Sequence, residues 1–264
     1  MKKIVVIGGG NMGYTYAEGI YNAKIADIEI LQRPGARYEE IKAMNKVAVT
    51  DNDEVIKSAD IVFLAIKPQI APSVFEKIKQ YVNSKQLFVS VMAGMKIETI
   101  QKGLNVEKVI RCMPNLPASI QLGATTYTCS KEVNDIEKQL TAQVLGATGI
   151  AFEVDTEEAI DHTTGISGSG TAYIFYFMNA MVKAAEALEF TPQQAKSLVM
   201  QTFKGAVKLY ENHDTPLDEW MNRVASKGGT TRAALDSFEN NKVEKLIQEG
   251  IEACIKRANE LATR

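Results

Sequence analysis

Two stretches of this chain combine residue types and spacing that could do chemistry. The first is Ile4-Val5-Val6-Ile7-Gly8-Gly9-Gly10-Asn11-Met12-Gly13, in which four aliphatic residues run directly into G-x-G-x-x-G. The unbroken apolar run predicts a strand buried on both faces, with a helix beginning at the glycines. Gly8 would permit the tight turn off the strand, Gly10 would let a pyrophosphate approach the backbone, and Gly13 would let the helix pack closely on the sheet. The free N–H groups at that helix's N-terminus would face the phosphates. A glycine-rich turn with no ligand has the same spelling. The position at the N-terminus, directly after one strand and ahead of a second, favours dinucleotide binding.

The second stretch is Ser226-Lys227-Gly228-Gly229-Thr230-Thr231, ahead of a helical pattern from Arg232 to Glu239. Two glycines before a helix expose consecutive backbone N–H groups, and the positive end of the helix dipole adds to them, so an anion could bind there between the Ser226 and Thr231 hydroxyls. An ordinary Ser/Thr-capped helix start fits these residues equally well. Cofactor choice should be decided just past the second strand, Ile28 to Leu31. There an NAD site usually carries an acid for the ribose 2′-OH, and an NADP site often offers arginine to the 2′-phosphate. This chain has Gln32-Arg33-Pro34-Gly35, with Arg37 close behind. No carboxylate stands in that stretch to repel a phosphate, and Arg33 has the planar fork suited to one. We therefore expect NADPH, with NADH possible; a solvated surface arginine is the alternative.

Composition narrows the field. At 264 residues, 45% apolar and 23% charged, with formal net charge −2, the chain is an ordinary globular protein. It has no electrostatic footprint for nucleic acid or a membrane surface. Partners should be a small-molecule substrate and copies of itself. Cys112, Cys129 and Cys254 are widely spaced with no C-x-x-C, so neither a disulfide framework nor a metal site is expected. With His162 and His213 as the two histidines, a Ser/His/Asp triad is poorly supplied. The apolar run after Met1-Lys2-Lys3 is too short for a signal peptide, and Ile61 to Ile66 is far short of the ~20 residues that span a bilayer. We expect a cytoplasmic location.

The elements that must position these stretches follow from periodicity. A helix from about Tyr14 to Ala23, the strand Ile28 to Leu31, the strand Val47 to Val49, a helix over Asp53 to Ser58 and the strand Asp60 to Ile66 come first. A helix from about Pro72 to Tyr81, the strands Leu87 to Val91, Val109 to Met113 and Thr125 to Cys129, a helix near Asn134 to Leu145 and the strand Gly149 to Glu153 complete the alternation. From Asp155 onward helix follows helix, with a capping box expected from Asp155 and Glu158 and an interruption at Gly165 to Gly170. Thr171 to Leu188, Pro192 to about Glu211, a helix opened by Thr215-Pro216, Arg232 to Glu239 and Val243 to Leu261 are the later helices. The expected fold is α/β: a Rossmann-type dinucleotide-binding domain over residues 1–154, then an all-α domain over 155–264 whose wide apolar helix faces suit burial against a second subunit.

The chain resembles the pyrroline-5-carboxylate reductases, which make proline from its cyclic imine precursor. The likeness rests on an ordered set of motifs: Ile7-Gly8-x-Gly10-Asn11-Met12-Gly13, Ala65-Ile66-Lys67-Pro68-Gln69, Met113-Pro114-Asn115-x-Pro117-Ala118, Ser167-Gly168-Ser169-Gly170-x-Ala172-Tyr173 and Val224 to Glu239. Thr171 and Lys227 stand where that family commonly has proline; neither removes a group the chemistry needs. The resemblance implies that Ile7, Gly8, Gly9, Gly10, Asn11, Met12 and Gly13 bind the pyrophosphate, with Arg33 at the adenosine 2′ position and Asn52 near the adenosine. It implies that Ala65, Ile66, Lys67 and Pro68, with Met92, Ala93 and Gly94, flank the nicotinamide. Ser226, Gly229, Thr230 and Thr231 would hold the cyclic imino acid, the Thr231 hydroxyl acting on the ring nitrogen. It further implies a homodimer, or a higher homo-oligomer, built through the C-terminal helices.

Three rival functions share parts of this pattern. A β-hydroxyacid dehydrogenase would place a catalytic lysine four residues after Gly170, where this chain has Ile174, a side chain that transfers no protons. A non-catalytic dinucleotide-binding scaffold would have no evident use for the Ser226 to Thr231 loop. A reductase of another cyclic imine differs in pocket dimensions alone.

Overall fold

The computed structural model describes residues 1–262. Strands β1 (Lys3–Ile7), β2 (Asp27–Leu31), β3 (Ala48–Thr50), β4 (Ile61–Leu64), β5 (Leu87–Ser90), β6 (Val109–Met113), β7 (Gly123–Cys129) and β8 (Gly149–Glu153) form one sheet in the order 3-2-1-4-5-6-7-8. Neighbours run parallel except β6 and β7. The central strands are apolar on both faces because helices cover both. On one face Ile4, Val6, Ile30, Phe63 and Val89 pack with Tyr16 and Ile20, and on the other Val5, Val62 and Phe88 pack with Phe75 and Ile100. The order 3-2-1-4-5 about the first strand is that of a doubly wound dinucleotide fold.

The helices are α1 (Asn11–Ala23), α2 (Ala36–Met44), α3 (Ala71–Ile78), α4 (Ile97–Leu104), α5 (Asp135–Gly146), α6 (Glu157–Thr163), α7 (Gly170–Ala187), α8 (Pro192–Glu211), α9 (Leu217–Val224), α10 (Thr230–Asn240) and α11 (Val243–Ala262). Compactness groups Met1–Thr171, with the chain from Cys254 on, into one unit and Ala172–Ala253 into another.

Several elements differ from the sequence reading. Helix α1 starts at Asn11, three residues early, because glycine permits the helix to begin inside the motif. The helix expected over Asp53–Ser58 has those bounds and is of the 3₁₀ type. Helices α2 and α4 were not anticipated. Ile41 is the one buried residue of α2, so it has no apolar stripe to read, whereas Ile97, Ile100 and Leu104 in α4 do carry helical spacing. The cap of α6 is Thr156, whose hydroxyl accepts from the Ala159 N–H, and not Asp155. The first-turn acid Glu157 is committed elsewhere. Its carboxylate accepts from the Ile97 N–H (2.9 Å) and lies 3.2 Å from the guanidinium of Arg111, which is buried and also paired with Asp161. Removing one partner of a buried pair typically costs ~3–5 kcal/mol, so this cluster pins α6 to the sheet. The expected break at Gly165 to Gly170 is a π-helical turn, Thr164–Gly168, leading into α7.

Candidate active site

The strand register explains how distant sequence motifs meet. Thr50, Leu31, Ile7, Leu64 and Ser90 lie in one row across five parallel strands. The loops that follow therefore leave from one edge of the sheet. They carry Asn52, Arg33, the glycines from Gly8 to Gly13, Ala65 to Pro68, and Met92 to Gly94. Ligands of open α/β sheets bind beyond this edge, at the point where strand order reverses, which here is between β1 and β4.

Within the glycine loop the geometry fits a bound pyrophosphate. Gly8 has φ +100°, and a Cβ there would lie 2.7 Å from the Ala65 carbonyl oxygen. A Cβ on Gly13 would collide with the Gly8 carbonyl oxygen, so the α1–β1 approach requires glycine. A Cβ on Gly10, by contrast, would project into open space, where a phosphate would have to stand. Helix α1 has Gly10 as its N-cap and no side-chain cap, leaving its first N–H groups for an anion. Gln32 and Arg37 brace the loop: the Gln32 Oε1 accepts from the Gly9 N–H (2.8 Å) and the Arg37 Nε donates to the Gly9 carbonyl (2.6 Å). Apart from their proximity to Arg33, nothing in the residue pattern marks Gln32 and Arg37 as a brace.

At the far end of the row, the Asn52 side chain accepts from the Glu54 N–H at 3.0 Å, capping the 3₁₀ turn. Arg33 is half exposed, and its Nη2 lies 3.2 Å from Oδ1 of the buried Asp53. A carboxylate thus stands beside the arginine after all. It was invisible as such because it follows β3, twenty positions along the chain, where the expected acid would follow β2. At the other end of the row, Ala93 and Lys67 are exposed, while the Met92 side chain is buried in the sheet core.

In the helical unit, α10 begins at the second motif. Its N-cap is Gly229, with no side-chain cap, so the ordinary Ser/Thr-capped start is not formed and the first N–H groups stay open. The Gly229 N–H donates to the Ser226 carbonyl at 2.9 Å, closing a tight turn through Gly228. Thr231 is partly buried, whereas Ser226, Lys227 and Thr230 are exposed. Arg232 does not add a free cation, because its guanidinium is paired with Asp236 and Glu239 (2.6 and 2.5 Å). Ile174 is 48% exposed and no residue of α7 is buried within the chain.

The cysteines are free. Burial raises the Cys112 and Cys129 thiols, the latter up to about 12, so neither supplies a thiolate at neutral pH. Among the described residues no group of His, Cys, Asp and Glu could hold a metal ion, and no helix is long and apolar enough to cross a membrane.

Comparison with known proteins covers almost the whole chain. Residues 157–261 match the family model for pyrroline-5-carboxylate reductase dimerisation, and residues 3–94 match that for NADP oxidoreductase, coenzyme F420-dependent. A pyrroline-5-carboxylate reductase of Pseudomonas aeruginosa is 34% identical over 98% of this chain and 97% of its own. The solved structure of a pyrroline-5-carboxylate reductase from Coxiella burnetii aligns with a TM-score of 0.90 at 31% identity, over 98% of this chain and 97% of that one. A Plasmodium falciparum pyrroline carboxylate reductase with NADP bound aligns at 0.88 and 28% identity, over 99% and 98%.

Proposed function

The chain belongs to the pyrroline-5-carboxylate reductase family, and on that premise we infer that it reduces 1-pyrroline-5-carboxylate to L-proline as an NADP-dependent oxidoreductase. The observation that carries this reading is likeness over 98% of the chain to a reductase of that name. When bound, the reduced nicotinamide supplies the hydride, and the protein's part is to bind, orient and adjust charge.

We assign the pyrophosphate to Ile7, Gly8, Gly9, Gly10, Asn11, Met12 and Gly13, supported by the uncapped start of α1 and the open space beside Gly10. Arg33 and Asn52 are assigned to the adenosine end, with Arg33 favouring NADPH over NADH. Ala65, Ile66, Lys67 and Pro68, with Met92, Ala93 and Gly94, are assigned to the nicotinamide end, on their shared edge of the sheet. The substrate carboxylate is assigned to the start of α10, with Ser226, Gly229 and Thr230 around it. The Thr231 hydroxyl is assigned to the ring nitrogen, where it fixes the face presented to the hydride; holding reactants in register is worth much of such a barrier.

We also propose residues 1–154 as the cofactor domain and 155–264 as the substrate and dimerisation domain, the latter supported by the dimerisation match over residues 157–261. The protein is a homo-oligomer, and its contacts are assigned to the C-terminal helices. In support, an apolar groove of about 610 Å³ runs between α7 and α11, lined by Tyr173, Tyr176, Phe177, Leu246 and Ile247 among others. A cytoplasmic location is consistent with three free cysteines. The test follows NADPH consumption by the purified full chain with 1-pyrroline-5-carboxylate and its six-membered analogue, and NADPH formation from NADP⁺ with β-hydroxyacids. Turnover with the five-membered imine is the expected result. Turnover with hydroxyacids alone, or NADPH binding without any turnover, would sink it in favour of a dehydrogenase or a scaffold.

A further inference from the structure

We propose that Asp53 is a second determinant of cofactor selectivity, acting by withdrawing positive charge from Arg33. This rests on the assignment of Arg33 to the adenosine 2′ position. Asp53 opens the 3₁₀ turn after β3 and is 8% exposed, so its charge is poorly screened by solvent. One carboxylate oxygen lies 3.2 Å from Arg33 Nη2 and the other 3.3 Å from Lys77 Nζ, near the end of α3. Two cations and one anion leave a single net positive charge at this corner, half of what the cations alone would give.

A carboxylate behind an arginine can act in two opposed ways. It can brace the guanidinium in a productive orientation, which helps an incoming phosphate, or it can compete with that phosphate for the same charge, which hurts. The geometry points to the second. The Asp53 Oδ1 that faces Arg33 is buried yet makes no hydrogen bond, so the contact is an ion pair without the directed N–H···O bond that a brace requires. Arg33, for its part, keeps a half-exposed side chain. A 2′-phosphate, which is doubly charged or nearly so, feels this competition, and a neutral 2′-hydroxyl does not. Asp53 therefore narrows the preference for NADPH that Arg33 creates, and Lys77 limits the narrowing by neutralising part of Asp53.

The experiment measures kcat/KM with NADPH and with NADH for the full-chain enzyme and its Asp53→Asn, Lys77→Met and Arg33→Ala variants, at low and high salt. Asp53→Asn keeps the volume and removes the charge. It should raise NADPH efficiency roughly three- to tenfold and leave NADH within about twofold, with the gain shrinking at high salt. Lys77→Met, which leaves Asp53 wholly to Arg33, should move NADPH efficiency the other way. Arg33→Ala should cost NADPH about tenfold or more and spare NADH, as expected for a lost charge-assisted bond. A folded Asp53→Asn enzyme whose NADPH efficiency is unchanged or lower, beside a selective Arg33→Ala defect, overturns the proposal and makes Asp53 a brace. If Asp53→Asn does not fold, an unchanged or raised NADPH efficiency in Lys77→Met overturns it instead. Equal losses with both cofactors in Arg33→Ala would overturn the underlying assignment of Arg33, a different outcome.

Discussion

In the unit built on Met1–Thr171, Ile4, Val5, Val6, Val62 and Phe63 are wholly shielded from solvent, and helices from the same chain do the shielding. In Ala172–Ala253, Ala195 and Val199 are the buried apolar residues among those described, while Phe175, Tyr176, Leu198, Val207, Met221 and Leu246 stand more than 40% exposed. Both regions are rich in apolar side chains; they differ in whether one chain can cover them. A sheet with helices on both faces closes its own core, whereas helices such as α7, apolar over a wide arc, need more surface than a single chain provides. The first region is thus a finished scaffold, and covering the second is the role proposed for assembly between copies.

The sharpest way to break this contrast is to charge the groove. Leu246→Glu would bury an unpaired carboxylate in the proposed contact between copies, at a cost of ~3–5 kcal/mol for each such charge, equivalent to roughly 10²–10⁴ in the dissociation constant. Sedimentation at several concentrations should show smaller species, while NADPH affinity stays within about twofold. Retention of the full assembly would show that α11 does not carry the contact.

A smaller effect separates the two regions chemically. Thr231→Val keeps the methyl and the bulk but loses the hydroxyl assigned to the ring nitrogen. Removing a donor to an oxyanion costs ~10²–10³ in kcat, and an imine nitrogen gathers less new charge, so ~10–10² is expected. Thr231→Ala should lose a similar amount. Unimpaired turnover in the valine variant would remove Thr231 from the chemistry. A parallel loss of NADPH binding, measured by titration, would instead place the defect in folding or assembly.

The smallest effect tests how the helical region is covered. Ile174→Val removes one methylene, worth ~0.5–1.5 kcal/mol when fully buried, but Ile174 is half exposed in one chain. The full destabilisation should therefore appear at protein concentrations that favour assembly and fade on dilution, with kcat near normal throughout. Thermal unfolding across a dilution series checks it. A constant shift would mean that Ile174 is buried within its own chain, and a large fall in kcat would assign α7 a direct part in the reaction.

What the sequence determined by itself was whatever depends on neighbours in the chain. The strand Val109–Met113, the strand Gly149–Glu153 and the Thr191-capped helix Pro192–Glu211 stand at their expected bounds, because apolar period, glycine and capping residues act locally. The glycine motif was legible for the same reason, since the φ of Gly8 and the close approach at Gly13 are set within one turn. The tertiary structure decided the rest. Glu157, in the first turn of α6, serves Arg111 and the start of α4, partners 46 and 60 residues away. Helix α2 formed with one buried side chain, held by its place beside the sheet and by no stripe of its own. Asp53 came to rest against Arg33 because β2 and β3 are parallel neighbours whose following loops leave from one edge. Charge pairing in a folded chain is set by strand order, and strand order is a property of the whole sheet, so no window of sequence around Arg33 contained the carboxylate that pairs with it.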